Sequence, residues 1–385
     1  MIFRALGVRL FERPAPLPVA REVPDLTTFS SREQMLPWEA LAVAPPERFW
    51  TPLAGPVPGT LVEGSLPPEE KARFLLRVPK DWNGGLVVAA SPGLLGEKAY
   101  DLYWSDFLLS KGFAFACMNK GLAMTADGDT FYVPLSPEAS IRRWLDRFRA
   151  LVPAASDWAA KAGSRKPGRV YAVGVSNGGY LVRRLLEASP ELVDGGVEVS
   201  GVYWPEQGGG LLEQIPKALA ATAGAQPDRP ALRAAGFPAD PDWDGVLAAY
   251  RAAFWTTSLA VFVGDLDPDF SGDPAAYDFS NRPQAAEAVR SIANTGRIGK
   301  PLISLAGGRD VLITAARHAE AYRSLVASRG SLELHELVTV ADATHADADA
   351  SVFPAVTPLM PEAHKAFERL VEKVEAGYSA TSAAA

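Results

Sequence analysis

Ser176 stands at the centre of Gly174-Val175-Ser176-Asn177-Gly178, a G-x-S-x-G pentapeptide. It follows the apolar run Arg169-Val170-Tyr171-Ala172-Val173 and precedes the helical pattern Tyr180-Leu181-Val182-Arg183-Arg184-Leu185-Leu186. A serine in such a strand-turn-helix junction sits on a strained turn, its hydroxyl held over the sheet edge, and glycines two residues to either side let strand and helix approach closely. The same glycines also suit a turn that only packs, so chemistry depends on partners elsewhere. A serine hydroxyl is a weak nucleophile near neutral pH. It needs an imidazole to take its proton and a carboxylate to orient that imidazole.

Four histidines are available. His318 falls in a helical stretch after Leu312, His335 alternates with apolar neighbours in a strand, and His364 lies on the polar side of the last helix; all three read as structural or solvent-facing. His345 differs. It lies in the loop Ala341-Asp342-Ala343-Thr344-His345-Ala346-Asp347, just past the last strand and at the same sheet edge as the serine, which makes it the candidate general base. Asp310, in Gly307-Gly308-Arg309-Asp310 directly after the penultimate strand, is the candidate acid. Aspartate there equally suits a helix cap, and Asp342 and Asp347 are the alternatives near His345.

The elements that must position these groups follow a repeating schedule. Strands are predicted over 73–78, 86–90, 113–118, 169–173, 197–200, 302–305 and 332–338, with regular structure starting near Arg73. A helix is expected from Glu97 to Ser110. Another opens at Ser136-Pro137-Glu138, with serine as cap and proline in the first turn. A last helix carries the stripe Ala363, Phe367, Leu370, Val371 and Val374 and ends before Gly377. Strand and helix alternate as in a mostly parallel sheet covered on both faces, an α/β fold. The ten prolines between Met1 and Pro58 rule out long regular elements, so residues 1–66 read as an extended arm, packed on the core through Trp38 and Trp50. The expected division is an arm at 1–66, a core at 67–203 and 299–378, a mainly helical lid inserted at 204–298, and a frayed tail at 379–385.

The order Ser176, Asp310, His345 on this schedule resembles the α/β-hydrolase superfamily from about Arg73 to Gly377. The resemblance implies an oxyanion hole made by the backbone N–H of Asn177 and a second N–H from the loop Ser91-Pro92-Gly93-Leu94, either Leu94 or Gly93. At a finer level Phe113 to Gly121, Gly307 to Tyr322, and Thr344-His345-Ala346-Asp347 look similar to 3-hydroxybutyrate oligomer hydrolases and the tannase/feruloyl esterase group. One departure is plain, because tannase-type enzymes brace the catalytic site with a disulfide and this chain has a single cysteine. The implied activity is a serine carboxylesterase acting on hydroxyacid, oligoester or aromatic esters. The same triad serves an amidase, a peptidase or an acyltransferase, and a catalytically silent binding module is a further alternative.

Composition narrows the partners. The 385 residues carry a net charge of −7, with 48% hydrophobic and 22% charged residues, which is globular and does not favour nucleic acid or an anionic membrane. A small-molecule or oligomeric ester fits better. Cys117, in an apolar run, reads as a buried structural thiol, and one cysteine permits neither an intrachain disulfide nor a cysteine metal site. No signal peptide and no run of about 20 apolar residues is evident, so a cytoplasmic protein without a membrane span is expected. Tyr203 and Trp204 after a strand, with Trp243, Trp255 and Phe270 beyond them, suit an apolar pocket or the core. The run from Asp267 to Asp278 has the spacing of a calcium loop but carries Pro268 and Pro274 and lacks the final glutamate, so it reads as an acidic turn. No metal and no cofactor is expected.

Overall fold

The computed structural model describes residues 17–27, 53, 55–66, 72–98, 101–121 and 140–383. Trp38, Trp50 and the helix start expected at Ser136-Pro137-Glu138 lie outside them. Nine strands form one sheet: β1 (Val19–Val23), β2 (Gly59–Ser65), β3 (Arg73–Pro79), β4 (Gly85–Ala90), β5 (Ala114–Met118), β6 (Arg169–Val175), β7 (Gly195–Val199), β8 (Leu302–Gly307) and β9 (His335–Val340). Their order is β1-β2-β3-β5-β4-β6-β7-β8-β9. The pairs from β1 to β5 are antiparallel, and those from β5 through β4 to β9 are parallel.

The parallel strands β4, β5, β7 and β8 are buried along their whole length. Alternate residues therefore feed two different cores. Leu86, Val88, Ala114, Ala116 and Ala172 pack on one face with Trp144, Phe148 and Leu181. Val87, Ala89, Phe115, Cys117, Val173, Val197 and Ile303 pack on the other with Trp104, Phe367 and Leu370. The helices that cover these faces are α1 (Asp106–Ser110), α2 (Trp144–Gly163), α3 (Asn177–Ala188), α9 (Ala321–Ser328) and α10 (Met360–Ala383). Between β7 and β8 the chain adds α4 (Leu211–Ala221), α5 (Arg229–Ala235), α6 (Asp244–Tyr250), α7 (Thr256–Leu266) and α8 (Pro283–Ile292).

Several boundaries differ from expectation. Regular structure begins well before Arg73, because β1 and β2 lie in the span read as an arm and extend the sheet as antiparallel strands. Neither strand contains a proline; Pro18 and Pro58 stand immediately before β1 and β2. Where a helix was expected from Glu97, Glu97 and Lys98 lie in a turn, and a wide helical turn over Asp101–Ser105 leads into α1. Ser140 caps the turn that leads into α2, accepting from Arg142 N–H. Residues 332–334 form a tight turn, so the last strand starts at His335. Helix α10 passes through Gly377 and runs to Ala383, because the glycine does not take the left-handed conformation that would stop it. The run Pro241–Leu266 is, by length and apolar composition alone, long enough to cross a membrane, against the expectation that none is. Its Val246, Leu247, Trp255, Leu259 and Phe262 pack into the core.

Candidate active site

Every candidate group is carried by a loop at the carboxyl end of a parallel strand, the edge where ligands meet such sheets. Strand β6 delivers Ser176 at φ 57° and ψ −119°, a conformation that L residues rarely adopt. The turn is held from several sides. Ser176 N–H donates to Val199 C=O, and Ser176 C=O accepts from Tyr180 N–H and Val202 N–H. A Cβ on Gly174 would stand 2.4 Å from the backbone of Gly178, so only glycine lets the strand pass this close to the helix it feeds. Beneath α3 the buried Arg183 guanidinium grips Glu198 of β7 through Nε and Nη2 at 3.0 and 2.5 Å, and Glu198 Oε2 accepts from Gly201 N–H at 2.7 Å. With neither side chain exposed, this pair ties the elbow helix to the strand beside it.

Asp310 and His345 come together because two glycines allow their loops to touch. A Cβ on Gly307 would lie 2.4 Å from Ala343 O, and one on Gly308 the same distance from Ala341 O. Gly308 N–H donates to Val340 C=O and Arg309 N–H to Ala343 C=O, which presses the acid loop against the base loop. His345 Nδ1 lies 2.9 Å from Asp310 Oδ2. Asp310 Oδ1 accepts from the N–H groups of Leu312 and Ile313 at 2.8 and 2.7 Å, so the helix-cap role and the orienting role are divided between its two oxygens. A carboxylate only accepts, so Nδ1 carries the proton and Nε2 is left as a base. Burial pushes the His345 imidazole toward lower pKa. The charge and hydrogen bond of Asp310, helped by Asp349, outweigh it and raise the pKa above 6.5. The alternatives to Asp310 are engaged elsewhere, Asp342 beside Arg309 and Asp347 accepting from Leu359 N–H and Met360 N–H ahead of α10.

Ser176 and His345 line one cavity of about 370 Å³. Among the described residues the Ser176 hydroxyl has no hydrogen-bond partner, so the serine-to-imidazole contact is the one link of the set not closed in this state. Gly93 and Leu94 line the same cavity. Pro92 has no N–H and Leu95 N–H is taken up by Pro92 C=O, so among the described residues the amides of Gly93 and Leu94 are the donors of that turn without a backbone partner. Asn177, the residue after the serine, also lines the cavity and reaches back through Nδ2 to Gly93 C=O at 3.4 Å.

No protein-family model matches the chain, and none of the curated proteins matches it. Solved structures do. Feruloyl esterase B from Aspergillus oryzae is similar over 86% of this chain and 80% of its own, with 14% identity and a TM-score of 0.57. An esterase from Aspergillus oryzae is similar over 88% of this chain and 81% of its own, with 13% identity and a TM-score of 0.57. The chain has the α/β-hydrolase fold.

Much of the cavity wall in this α/β-hydrolase fold comes from residues that the sequence did not single out. Leu211, Phe254, Thr257, Ser258, Val261 and Phe262 enter it from the helices between β7 and β8, and Tyr103, Val352, Leu359 and Met360 enter from elsewhere. Of the five aromatics that suited a pocket or the core, Tyr203, Trp204, Trp243, Trp255 and Phe270, none lines this cavity. Trp204 is fully buried against Phe262, and its backbone N–H donates to Asn294 Oδ1 at 3.2 Å. Trp255 is fully buried against Phe237, its indole N–H donating to Val311 C=O. Tyr203 packs beside Tyr322 and donates its backbone N–H to His318 Nδ1. The tryptophans fill the core beside the insertion, and Thr257, Ser258, Val261 and Phe262 of α7 face the space that remains. Only a helical register, not composition, separates these two sets.

The other histidines are internal. His318 binds Tyr203 N–H and Gln214, His335 Nε2 meets Ser304 Oγ at 2.8 Å, and His364 stacks on Phe107 with Nε2 at Tyr103 C=O. His364 is thus half-buried, not on a solvated face. In the calcium-like run, Asp267 is gripped by both Arg282 nitrogens and Tyr277 OH, and Asp278 accepts from Ser280 and Asn281. Both carboxylates thus have protein partners.

Proposed function

We propose that this protein is a serine carboxylesterase. The observation that carries the reading is the Asp310–His345 pair, closed at 2.9 Å on the wall of the cavity into which the strained Ser176 projects. Ser176 Oγ attacks the ester carbonyl carbon while His345 Nε2 takes its proton. The amides of Asn177 and of Leu94 or Gly93 receive the developing oxyanion. His345 then gives the proton to the departing alcohol, and water, deprotonated by the same imidazole, releases the acid from the acyl-enzyme.

The substrate class we infer is an uncharged ester with an apolar acyl group. Val175, Val199, Val202, Phe262, Leu312 and Ile313 supply the wall, and no lysine or arginine is among the described lining residues. Asp347 and Asp349 lie there instead and disfavour a carboxylate-bearing acyl chain. Val352 and Phe254, both exposed, give the mouth an apolar rim suited to a greasy ester. The helices between β7 and β8 act in this reading as a lid over the acyl group. Ser176→Ala is expected to abolish hydrolysis of p-nitrophenyl butyrate and labelling by a fluorophosphonate probe, with thermal unfolding close to that of the wild type. Turnover retained by the folded variant would refute the assignment.

A further inference from the structure

Lys120 is a fully buried basic residue to which the sequence assigned no individual role. Its backbone is left-handed at φ 63°, a costly conformation for a residue with a Cβ, and its surroundings enforce it. Arg147 Nη1 donates to Lys120 C=O at 2.7 Å, and Asn119 Oδ1 accepts from Gly121 N–H and Arg73 N–H at 2.9 and 3.0 Å. A Cβ on Gly121 would collide with the Arg147 guanidinium, so the next residue is fixed as well. All of this aims Nζ at one target. It donates to Ser91 C=O at 2.5 Å and to Ser91 Oγ at 2.7 Å, with the Trp144 ring 5.4 Å away. Among the described residues no carboxylate pairs with it. A buried charge that gives up water for one serine calls for a reason beyond packing.

Ser91 is where the loop beneath the proposed oxyanion begins. Its Oγ, accepting from Lys120, donates to Leu95 C=O at 2.6 Å, and its own N–H donates to Met118 C=O. The chain Lys120 Nζ to Ser91 Oγ to Leu95 C=O thus closes a ring around Pro92, Gly93 and Leu94. Inside the ring, Gly93 takes φ 46° with open space where a Cβ would stand. We propose that Lys120 is the positioning residue of the oxyanion loop, setting the second donor amide from behind through Ser91. The role rests on the esterase reading above. Burial draws the Lys120 ammonium down to about 7. The neutral amine keeps two N–H donors for the same two acceptors, so the clasp does not depend on that titration.

The test uses the full chain with Lys120→Met and Ser91→Ala, measuring kcat and KM for p-nitrophenyl butyrate, affinity for a boronic acid that mimics the tetrahedral intermediate, and thermal unfolding. Removing one oxyanion donor costs about 10²- to 10³-fold in kcat. Displacing it is therefore expected to lower kcat by at least about ten-fold in both variants, with KM changed less than about three-fold and boronate affinity falling in parallel. A purely structural lysine predicts a lower melting temperature with unchanged kcat in the folded fraction, and that result overturns the proposal. If Lys120→Met does not fold, Ser91→Ala decides alone, since it breaks the relay and leaves the lysine in place. Wild-type protein that hydrolyses no ester refutes the function and this role together, whereas active wild type with equally active variants refutes this role only.

Discussion

Replacing Asp310 by Asn separates the orientation of the base from everything else this side chain does. Two backbone N–H groups, from Leu312 and Ile313, converge on Oδ1, while Oδ2 alone meets His345. An amide has one acceptor oxygen. The pair of backbone donors holds that oxygen in the Oδ1 place and turns the NH2 group toward Nδ1, which must then accept. The imidazole proton moves to Nε2, and the nitrogen that should receive the serine proton is already protonated. A wrong tautomer of this kind lowers kcat about 10⁴-fold, or about 5.4 kcal/mol at 1.36 kcal/mol per decade. The pH profile shifts too. In the wild type the carboxylate holds the His345 pKa above 6.5 against the pull of burial, so the rate rises with pH through that raised value. Without the carboxylate, burial dominates and the acidic limb moves to lower pH. Steady-state hydrolysis of p-nitrophenyl butyrate across pH 5 to 9 reads both effects, and thermal unfolding is expected to change little because the two backbone bonds survive. A variant within ten-fold of wild-type kcat, or one whose acidic limb stays in place, would show that Asp310 does not orient the base.

Three other outcomes follow from the same structure. Ser176→Gly relieves a backbone conformation that Ser176→Ala retains, so the glycine variant should be about 1 kcal/mol more stable in urea unfolding, the strain being of order 1–3 kcal/mol less the added chain entropy of glycine; equal stabilities would mean that the elbow stores no strain. Burial pushes the His318 pKa to about 3, against about 6.5 unfolded, so the unfolded state binds the extra proton and stability falls as pH drops below about 6.5. The loss reaches about 2 kcal/mol at pH 5, and His318→Gln should flatten the pH dependence of denaturant midpoints; an unchanged slope would contradict this. Finally, kcat/KM for the mono-p-nitrophenyl ester of succinate should be at least about 10²-fold below that for the butyrate ester, since burying an unpaired carboxylate costs several kcal/mol; similar values would count against an apolar acyl site.

Ser176, Asp310 and His345 were legible because each follows a strand whose apolar run is short and well bounded, and topology alone then brings them to one edge. The Gly307-Gly308 pair carried further information that reading for motifs missed, since its smallness is what lets the acid loop touch residues 341–343. Pocket walls were not legible. Trp204 and Trp255 advertise themselves by size, yet size is what draws them into the core, while Val261 and Phe262 differ from their neighbours only in the face of α7 that they occupy. Strands β1 and β2 were hidden by the prolines that surround them, because these short runs take their conformation from neighbouring strands more than from local propensity. Lys120 was invisible for another reason. Nothing in Met118-Asn119-Lys120-Gly121 announces that the lysine is buried, and its target lies 29 positions back along the chain.

The contact between the acid and base loops has a mechanical corollary. Backbone bonds and two glycine-sized gaps weld Asp310 and His345 into one unit, while the elbow belongs to another, braced from below by Arg183 and Glu198. Strand β7, paired with β6 on one side and β8 on the other, sets the spacing between the hydroxyl and the imidazole. In the esterase reading, the reacting groups are therefore held by the sheet itself, and a substrate has to fit the space that the sheet leaves between them.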